Sequence, residues 1–72
     1  MNISIINGQK YITNVVRGVE YVLMRNGNEW GVATKRLALG RFNPGGFKSF
    51  KTLDDVKANC KAFANVNLLE AI

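Results

Sequence analysis

The sequence predicts an α+β domain of two layers, in which an antiparallel sheet of four to five strands packs on one C-terminal amphipathic helix. Two Asn-Gly dipeptides, Asn7-Gly8 and Asn26-Gly27, each follow strand-forming residues, and Asn-Gly is the strongest short-range signal for a β-hairpin. A helix start signal, TLDD, begins at Thr52 and precedes apolar residues with helical spacing. The chain has 72 residues, so we expect one small domain over 1–72.

Each Asn-Gly dipeptide separates two predicted strands. The strands are expected from Asn2 to Ile6, from Gln9 to Val16, from Val19 to Arg25, from near Asn28 past Thr34, and from Phe47 to Phe50. Arg17-Gly18 predicts a further turn or bulge. Because successive side chains of a strand alternate between faces, Gly31 and Ala33 lie opposite Trp30, and their small size is expected to leave room for the helix.

Several large apolar residues are expected to be buried by this architecture. Leu37, Leu39 and Phe50 are predicted core residues. Tyr21 and Trp30 lie on paired strands and are expected to pack across the sheet, because cross-strand aromatic contacts stabilise it. The alternative is that these two side chains form an exposed recognition surface.

The helix is predicted to begin after Thr52, whose hydroxyl suits the N-cap, and to end near Asn65. Asp54 and Asp55 favour the positive end of the helix dipole. One apolar face of the helix comprises Leu53, Val56, Cys60 and Phe63. A terminal turn over residues 68–72 would follow.

The composition argues against catalysis and against metal or membrane binding. Histidine is absent, and the single cysteine, Cys60, lies on the apolar helix face, so neither an internal disulfide nor a Cys/His metal cluster is expected. Apolar runs are shorter than the roughly 18–20 residues that a membrane-spanning helix needs, and the N-terminus does not resemble a signal peptide. We therefore expect a cytoplasmic, non-enzymatic protein without metal or cofactor.

Positive charge is concentrated in residues 35–51. The chain carries a formal net charge of +5, and this stretch holds five of the ten basic residues and no acidic residue. It also holds three of the four phenylalanines and a Pro44-Gly45 dipeptide that suits a type II turn. Such asymmetry favours an anionic partner, with nucleic acid first and an acidic protein surface second.

The candidate binding residues are the cations and two of the aromatic residues of this stretch. Lysine and arginine neutralise phosphates, and exposed aromatic rings can stack on bases. The predicted nucleic-acid or partner-binding residues are Lys35, Arg36, Arg41, Phe42, Phe47, Lys48 and Lys51. The alternative is that the aromatic residues belong to the core and the cations only keep the chain in solution.

Residues 29–42, EWGVATKRLALGRF, followed by residues 47–63, FKSFKTLDDVKANCKAF, resemble the strand–strand–helix ending of AP2-type and integrase N-terminal-type DNA-binding domains. The matching features are Trp30 on a central strand, Leu39-Gly40-x-Phe42, and Phe50-x-Thr52 before Val56 and Phe63. The resemblance implies a three-stranded sheet that enters the DNA major groove. This chain departs by an additional hairpin, by the inserted NPGGFKSF and by few arginines on the central strand, which favours backbone contacts over base readout.

Three functions are compatible with these features. The first is a non-enzymatic module that binds nucleic acid, most simply DNA, through the sheet and residues 35–51. The second is a protein-binding inhibitor or adaptor of phage or mobile-element type, such as an anti-defence protein that acts on a host complex. The third is homodimerisation through an exposed edge strand, 2–6 or 47–50.

Overall fold

The computed structural model describes residues 2–43 and 45–64, and it confirms an antiparallel sheet packed on a C-terminal helix. The six strands are β1 (Asn2–Ile6), β2 (Gln9–Val16), β3 (Val19–Asn26), β4 (Glu29–Arg36), β5 (Arg41–Phe42) and β6 (Lys48–Phe50). The helix α1 spans Leu53–Asn59 and is followed by a 3₁₀ helix, Lys61–Phe63. The helices cover one face of the sheet, which we call the helix side; the opposite face is the open face.

Strands β1 to β4 form a meander in which each strand pairs with the next. The short strands β5 and β6 both pair with the outer edge of β4, where Phe42 lies opposite Lys35 and Lys48 lies opposite Val32. Residues 33 and 34 of β4 therefore lie beside residues 43 and 45–47. β5 and β6 thus form one edge strand that an inserted loop interrupts, and β1 forms the other edge of the sheet.

The first two hairpin turns are where the sequence predicts them, and the third is one residue later than predicted. Asn7-Gly8 has φ angles of 52° and 79°, and Arg17-Gly18 has 52° and 78°, which are type I′ values. Asn26, however, still pairs with Glu29, so the central residues of that hairpin are Gly27 and Asn28. Gly27, with φ 62°, takes the first central position of a type II′ turn, where glycine is favoured.

The core lies between the helix side of the sheet and the apolar face of the helices. Ile12, Leu23 and Val32 are opposite one another on β2, β3 and β4, and each is almost fully buried. Val56 and Phe63 pack on them and have no exposed surface. Cys60 is buried and Leu53 is partly buried against the same cluster, which confirms the predicted apolar helix face.

The predicted helix is correct at its start and wrong at its end. Thr52 caps α1 by accepting a hydrogen bond from the backbone N–H of Asp55 at 3.1 Å. The α-helix ends at Asn59 because Cys60 has an extended backbone, and a 3₁₀ turn follows. The side-chain amide of Asn14 donates to the carbonyl oxygen of Ala62 at 2.7 Å and so ties this turn to β2. The predicted end at residue 65 and the terminal turn 68–72 lie outside the described residues.

Two predictions about packing on the sheet are wrong. Gly31 and Ala33 lie on the open face, and the ring of Phe47, not the helix, covers Gly31. Leu37 and Leu39 are 49% and 57% exposed, so they are not core residues. They lie in the β4–β5 loop, which closes by two hydrogen bonds from the N–H groups of residues 39 and 40 to the Arg36 carbonyl.

Tyr21 and Trp30 are both on the helix side, partly buried against the core. They are not opposite each other, because Tyr21 pairs with Thr34 and Trp30 pairs with Arg25. The guanidinium carbon of Arg25 lies 4.8 Å from the Trp30 ring centroid, a cation–π distance. Phe50 is also partly buried against the core, as predicted.

Candidate functional site

The seven candidate binding residues do not form one surface. Phe42 lies opposite Lys35 and both belong to the open face, as does Phe47, which covers Gly31. Arg36 lies opposite Arg41 on the helix side, and Lys48 lies on the helix side next to Val32. Lys51 follows β6 and is exposed. Because side chains alternate along a strand, neighbours in the sequence are placed on opposite sides of the sheet edge.

Five cations gather on the helix side, and we call this group the basic surface. Its members are Arg17, Arg36, Arg41, Lys48 and Lys61. Arg17 and Lys61 line a hollow with Val19, which is the cross-strand partner of Arg36. Lys48 and Lys61 line a second hollow, of about 420 Å³, beside Thr34 and Asn59. Tyr21 and Lys61 line both hollows, so the two are adjacent.

The basic surface is free of acidic side chains in the part of the chain that the structure describes. None of the residues that line the two hollows is acidic. Glu20 and Glu29 belong to the open face, and Asp54 and Asp55 are exposed at the start of α1. Among the described residues, therefore, the two hollows between the cations of the basic surface are lined by no carboxylate.

The arginine pair at positions 36 and 41 is unfavourable for the sheet itself. The two residues are direct cross-strand partners at the exposed edge. Like charges directly opposite each other destabilise a sheet, by an amount comparable to the roughly 0.2–1 kcal/mol of a favourable pair. An anion bound between two guanidinium groups would remove this repulsion, because each presents a planar fork of N–H donors.

The interrupted edge strand is held to β4 by a small polar network. The N–H of Asn43 donates to the carbonyl of Thr34 at 2.9 Å, and its side-chain amide donates to the Thr34 hydroxyl at 3.1 Å. The N–H of Gly46 donates to the Asn43 carbonyl at 3.0 Å, and Gly45 has φ 74°, as the third residue of a type II turn requires. A Cβ atom on Gly46 would lie 2.5 Å from the Thr34 hydroxyl. The network fixes the separation between Arg41 and Lys48.

The aromatic residues form a second surface on the open face. Phe42 and Phe47 are 52% and 47% exposed, and they line a shallow hollow of about 530 Å³. Its other lining residues are Ser4, Ile6, Tyr11, Thr13, Val22, Met24 and Ala33. We call this set the aromatic surface. Beside it, the Nζ atom of Lys35 lies 5.8 Å from the Phe42 ring centroid, and Lys35 lies opposite Glu20, so the two charges offset each other.

Sequence reasoning missed members of both surfaces. The sequence places Arg17 only in a turn, and Lys61 is not among the predicted binding residues. Tyr11 and Met24 are direct cross-strand partners on the open face. Alternation along each strand predicts which side chains share a face with Tyr11 or with Met24. That the two residues are opposite each other follows only from the register of the β2–β3 hairpin. A two-residue loop at Arg17-Gly18 fixes this register and could have predicted the pair from the sequence.

Cys60 has the properties of a core residue. It is buried, and burial raises the pKa of its thiol above the ordinary value of 9.0, while the charge of Lys48 opposes this effect. A raised pKa keeps the group as an unreactive thiol at neutral pH. Among residues 2–43 and 45–64, no three His, Cys, Asp or Glu side chains are grouped as a metal site would require. In the same ranges, no helix has the length and apolarity needed to cross a bilayer.

Comparisons with protein-family models, with curated proteins and with solved structures find no match to this chain. The resemblance to AP2-type and integrase N-terminal-type domains therefore stays a prediction.

Proposed function

We propose that this chain is a small non-enzymatic module that binds nucleic acid, most simply double-stranded DNA, through phosphate contacts made by the basic surface. The observation that carries the proposal is the cross-strand pair Arg36–Arg41. Arg17, Lys48 and Lys61 extend the same positive field, and none of the described residues that line the two hollows is acidic. A bound polyanion would offset the repulsion between the guanidinium groups of Arg36 and Arg41.

The proposed contacts are electrostatic and independent of base sequence. The exposed aromatic residues Phe42 and Phe47 lie on the open face, and Tyr21 on the helix side is partly buried. The exposed rings therefore lie on the face away from the cations, and the ring beside them, Tyr21, is partly buried, so we expect backbone neutralisation to dominate. The proposed surface differs from the one that the family resemblance implies, because on the open face Lys35 lies opposite Glu20 and the residues that line the hollow there are uncharged.

The salt dependence of duplex binding tests this proposal. A fluorescently labelled duplex of arbitrary sequence is titrated with the full chain at several salt concentrations, and the dissociation constant is read from anisotropy. Four to five phosphate contacts predict a slope of log K against log [salt] of about −4, at about −0.9 per contact. Absence of binding at low salt, or binding that salt does not weaken, would contradict the proposal.

A protein-binding function is the second candidate, and the aromatic surface favours it. Contiguous exposed apolar side chains on a small protein commonly mark an interface. Phe42 is the anchor we assign, because it is half exposed while Phe47 is committed to packing on Gly31. The partner in this case would present an apolar surface, since the cations lie on the other side of the sheet.

The two candidates are separated by variants of opposite faces. A nuclease-treated pull-down with wild-type chain, Phe42→Ser and Arg36→Gln/Arg41→Gln identifies which face a partner needs. Loss of a stoichiometric protein partner in Phe42→Ser alone would favour the protein-binding function. Retention of duplex binding by Phe42→Ser, together with its loss in the arginine variant, is the result that the nucleic-acid proposal predicts.

A further inference from the structure

The two edges of the sheet are protected to different degrees. The β5–β6 edge carries Arg41 and Lys48 and is interrupted by the inserted loop. Strand β1, with the sequence NISII, has no charged residue and no proline, and all five of its residues are exposed. Sheets usually protect an edge with charges, bulges or proline, because a bare edge pairs with another strand. β1 has none of these features.

The unpaired backbone groups of β1 belong to Ile3 and Ile5. Ile6 and Gln9 flank the two-residue loop of the first hairpin, so they form a hydrogen-bonded pair. Hydrogen-bonded and non-hydrogen-bonded pairs alternate along an antiparallel ladder, so Ser4 and Asn2 also bond to β2. The N–H and C=O groups of Ile3 and Ile5 therefore point outward. No described strand lies beyond β1 to receive them.

We propose that β1 pairs with β1 of a second copy of this chain in an antiparallel, two-fold symmetric dimer. In the register that uses all outward groups, Ile3 lies opposite the partner's Ile5 and Ile5 opposite the partner's Ile3. Ser4 then lies opposite the partner's Ser4 on the two-fold axis. Four backbone hydrogen bonds form, and the two sheets become one continuous sheet.

A second copy of the chain is the partner that fits β1, because the hydrogen-bonding pattern of this edge is self-complementary and the strand is uncharged. Two donors and two acceptors, centred on Ser4, present the same pattern to an antiparallel copy of themselves. The chain as a whole carries +5, so most surfaces of two copies repel each other. The uncharged β1 is remote from the arginine pair at the other edge, and two copies approach there with least repulsion.

Apolar side chains add to this pairing. Ile3 and Ile5 both point to the helix side, next to the buried Ile12, and they are 49% and 68% exposed. In the proposed register they contact the partner's Ile5 and Ile3, which forms a cluster of four isoleucines across the two-fold axis. Both sets of helices then lie on the same side of the joined sheet, because an antiparallel pair has its two-fold axis perpendicular to the sheet.

A disulfide placed at Ser4 tests the register. Opposite residues of a non-hydrogen-bonded pair have Cα atoms about 4.5 Å apart, within the roughly 4.4–6.8 Å that a disulfide spans. Under mild oxidation, Ser4→Cys is expected to give a covalent dimer that a reductant reverses. Ser49→Cys is the matched control, because Ser49 is also an exposed serine on an edge strand, β6. Wild type is the blank, since its cysteine is buried.

Covalent dimer from Ser4→Cys but not from Ser49→Cys supports the proposal. Equal crosslinking of the two variants, or preferential crosslinking of Ser49→Cys, overturns it. A second variant, Ile5→Pro, removes one outward N–H without removing a bond to β2. Light scattering is expected to show the mass of one chain for Ile5→Pro and of two chains for wild type and Ile5→Val. A wild-type mass of one chain at the concentrations of the crosslinking experiment also overturns the dimer.

Discussion

Gly31 determines whether the ring of Phe47 can lie on the sheet. A Cβ atom at this position would be 2.5 Å from Cζ and 2.7 Å from Cε2 of Phe47, closer than carbon atoms can approach. Phe47 therefore uses the space that glycine leaves in β4. The half-exposed ring is a structural part of the open face as well as a candidate contact.

Gly31→Ala is expected to displace the half-exposed ring of Phe47 and to lower the free energy of unfolding by less than the about 1–3 kcal/mol that overpacking costs in a closed core, because the ring can move into solvent. Urea denaturation measures the change. The control is the same substitution in a Phe47→Ala background, where the clash is absent and the cost should be much smaller. Equal costs in the two backgrounds would show that Phe47 does not fill this space.

Cys60 gives the chain a pH dependence at alkaline pH. Its folded-state pKa is raised above 9.0 by burial. Below about pH 8 the thiol is protonated in both states and contributes nothing. As the pH rises through 9.0, the unfolded chain loses the proton while the folded chain keeps it, so stability falls. The slope for one proton is at most about 1.4 kcal/mol per pH unit.

The difference in unfolding free energy between wild type and Cys60→Ala isolates this effect from the titration of other groups. We expect the difference to be constant up to about pH 8 and to change in favour of Cys60→Ala above pH 9. Denaturant unfolding at a series of pH values checks it. A difference that stays constant throughout the alkaline range would be inconsistent with a buried thiol of raised pKa.

At the scale of elements, the 3₁₀ turn after α1 is tied to the sheet by a contact between residues distant in sequence. The side-chain amide of Asn14 in β2 donates to the Ala62 carbonyl, and this bond is partly buried. Without a donor, that carbonyl would lose its partner inside the fold. The bond also holds the 3₁₀ turn that delivers Phe63 to the core.

Asn14→Ala is expected to lower the free energy of unfolding by about 1–3 kcal/mol, the cost of leaving a buried acceptor unsatisfied. Asn59→Ala is the matched control. Its side-chain amide also donates to a carbonyl, that of Asp55 at 2.8 Å, but the bond is exposed and local. Thermal or urea denaturation should show a smaller loss for Asn59→Ala. A loss as large as that of Asn14→Ala would refute the anchoring role.

Short-range sequence signals predicted the strands, the first hairpin and the start of the helix. The structure after residue 59 involves contacts between residues far apart in the sequence. The hairpin loop Asn7-Gly8, the Thr52 cap and the apolar helix face follow from preferences within a few residues, and the structure confirms them. The 3₁₀ turn that replaces the predicted last helical turns bonds to Asn14, which is 48 residues away from its bonding partner. No periodicity within the helix encodes that contact.

For the molecule as a whole, the sequence identified residues 35–51 as the candidate site, but it did not show that their side chains lie on two opposite faces of the sheet. Arg41 and Phe42 are adjacent, yet they lie opposite Arg36 and Lys35 on different faces. Alternation predicts such a division in principle. Alternation does not show which face of the sheet the helix covers. For this reason Gly31 is predicted to lie under the helix, whereas it lies on the open face. The basic surface also needs Arg17 and Lys61, which only the folded sheet and helix bring near Arg36.

The central claim is that the basic surface, and not the total charge, binds nucleic acid. Arg36→Gln/Arg41→Gln removes two positive charges from it. Arg25→Gln/Lys35→Gln also removes two, but Arg25 lies at the other end of the sheet and Lys35 on the open face. The first variant should remain as stable as wild type or slightly more stable, because a like-charge pair is relieved. Its melting temperature establishes that any loss of binding is not unfolding.

The most direct measurement is the dissociation constant of a labelled duplex for these two variants across a salt series. For Arg36→Gln/Arg41→Gln we predict binding at least about tenfold weaker than for the control variant, with a salt slope reduced by about 2, close to 1 per lost phosphate contact. The control variant should keep nearly the wild-type slope. Equal weakening of both variants, or greater weakening of the control, would contradict the claim.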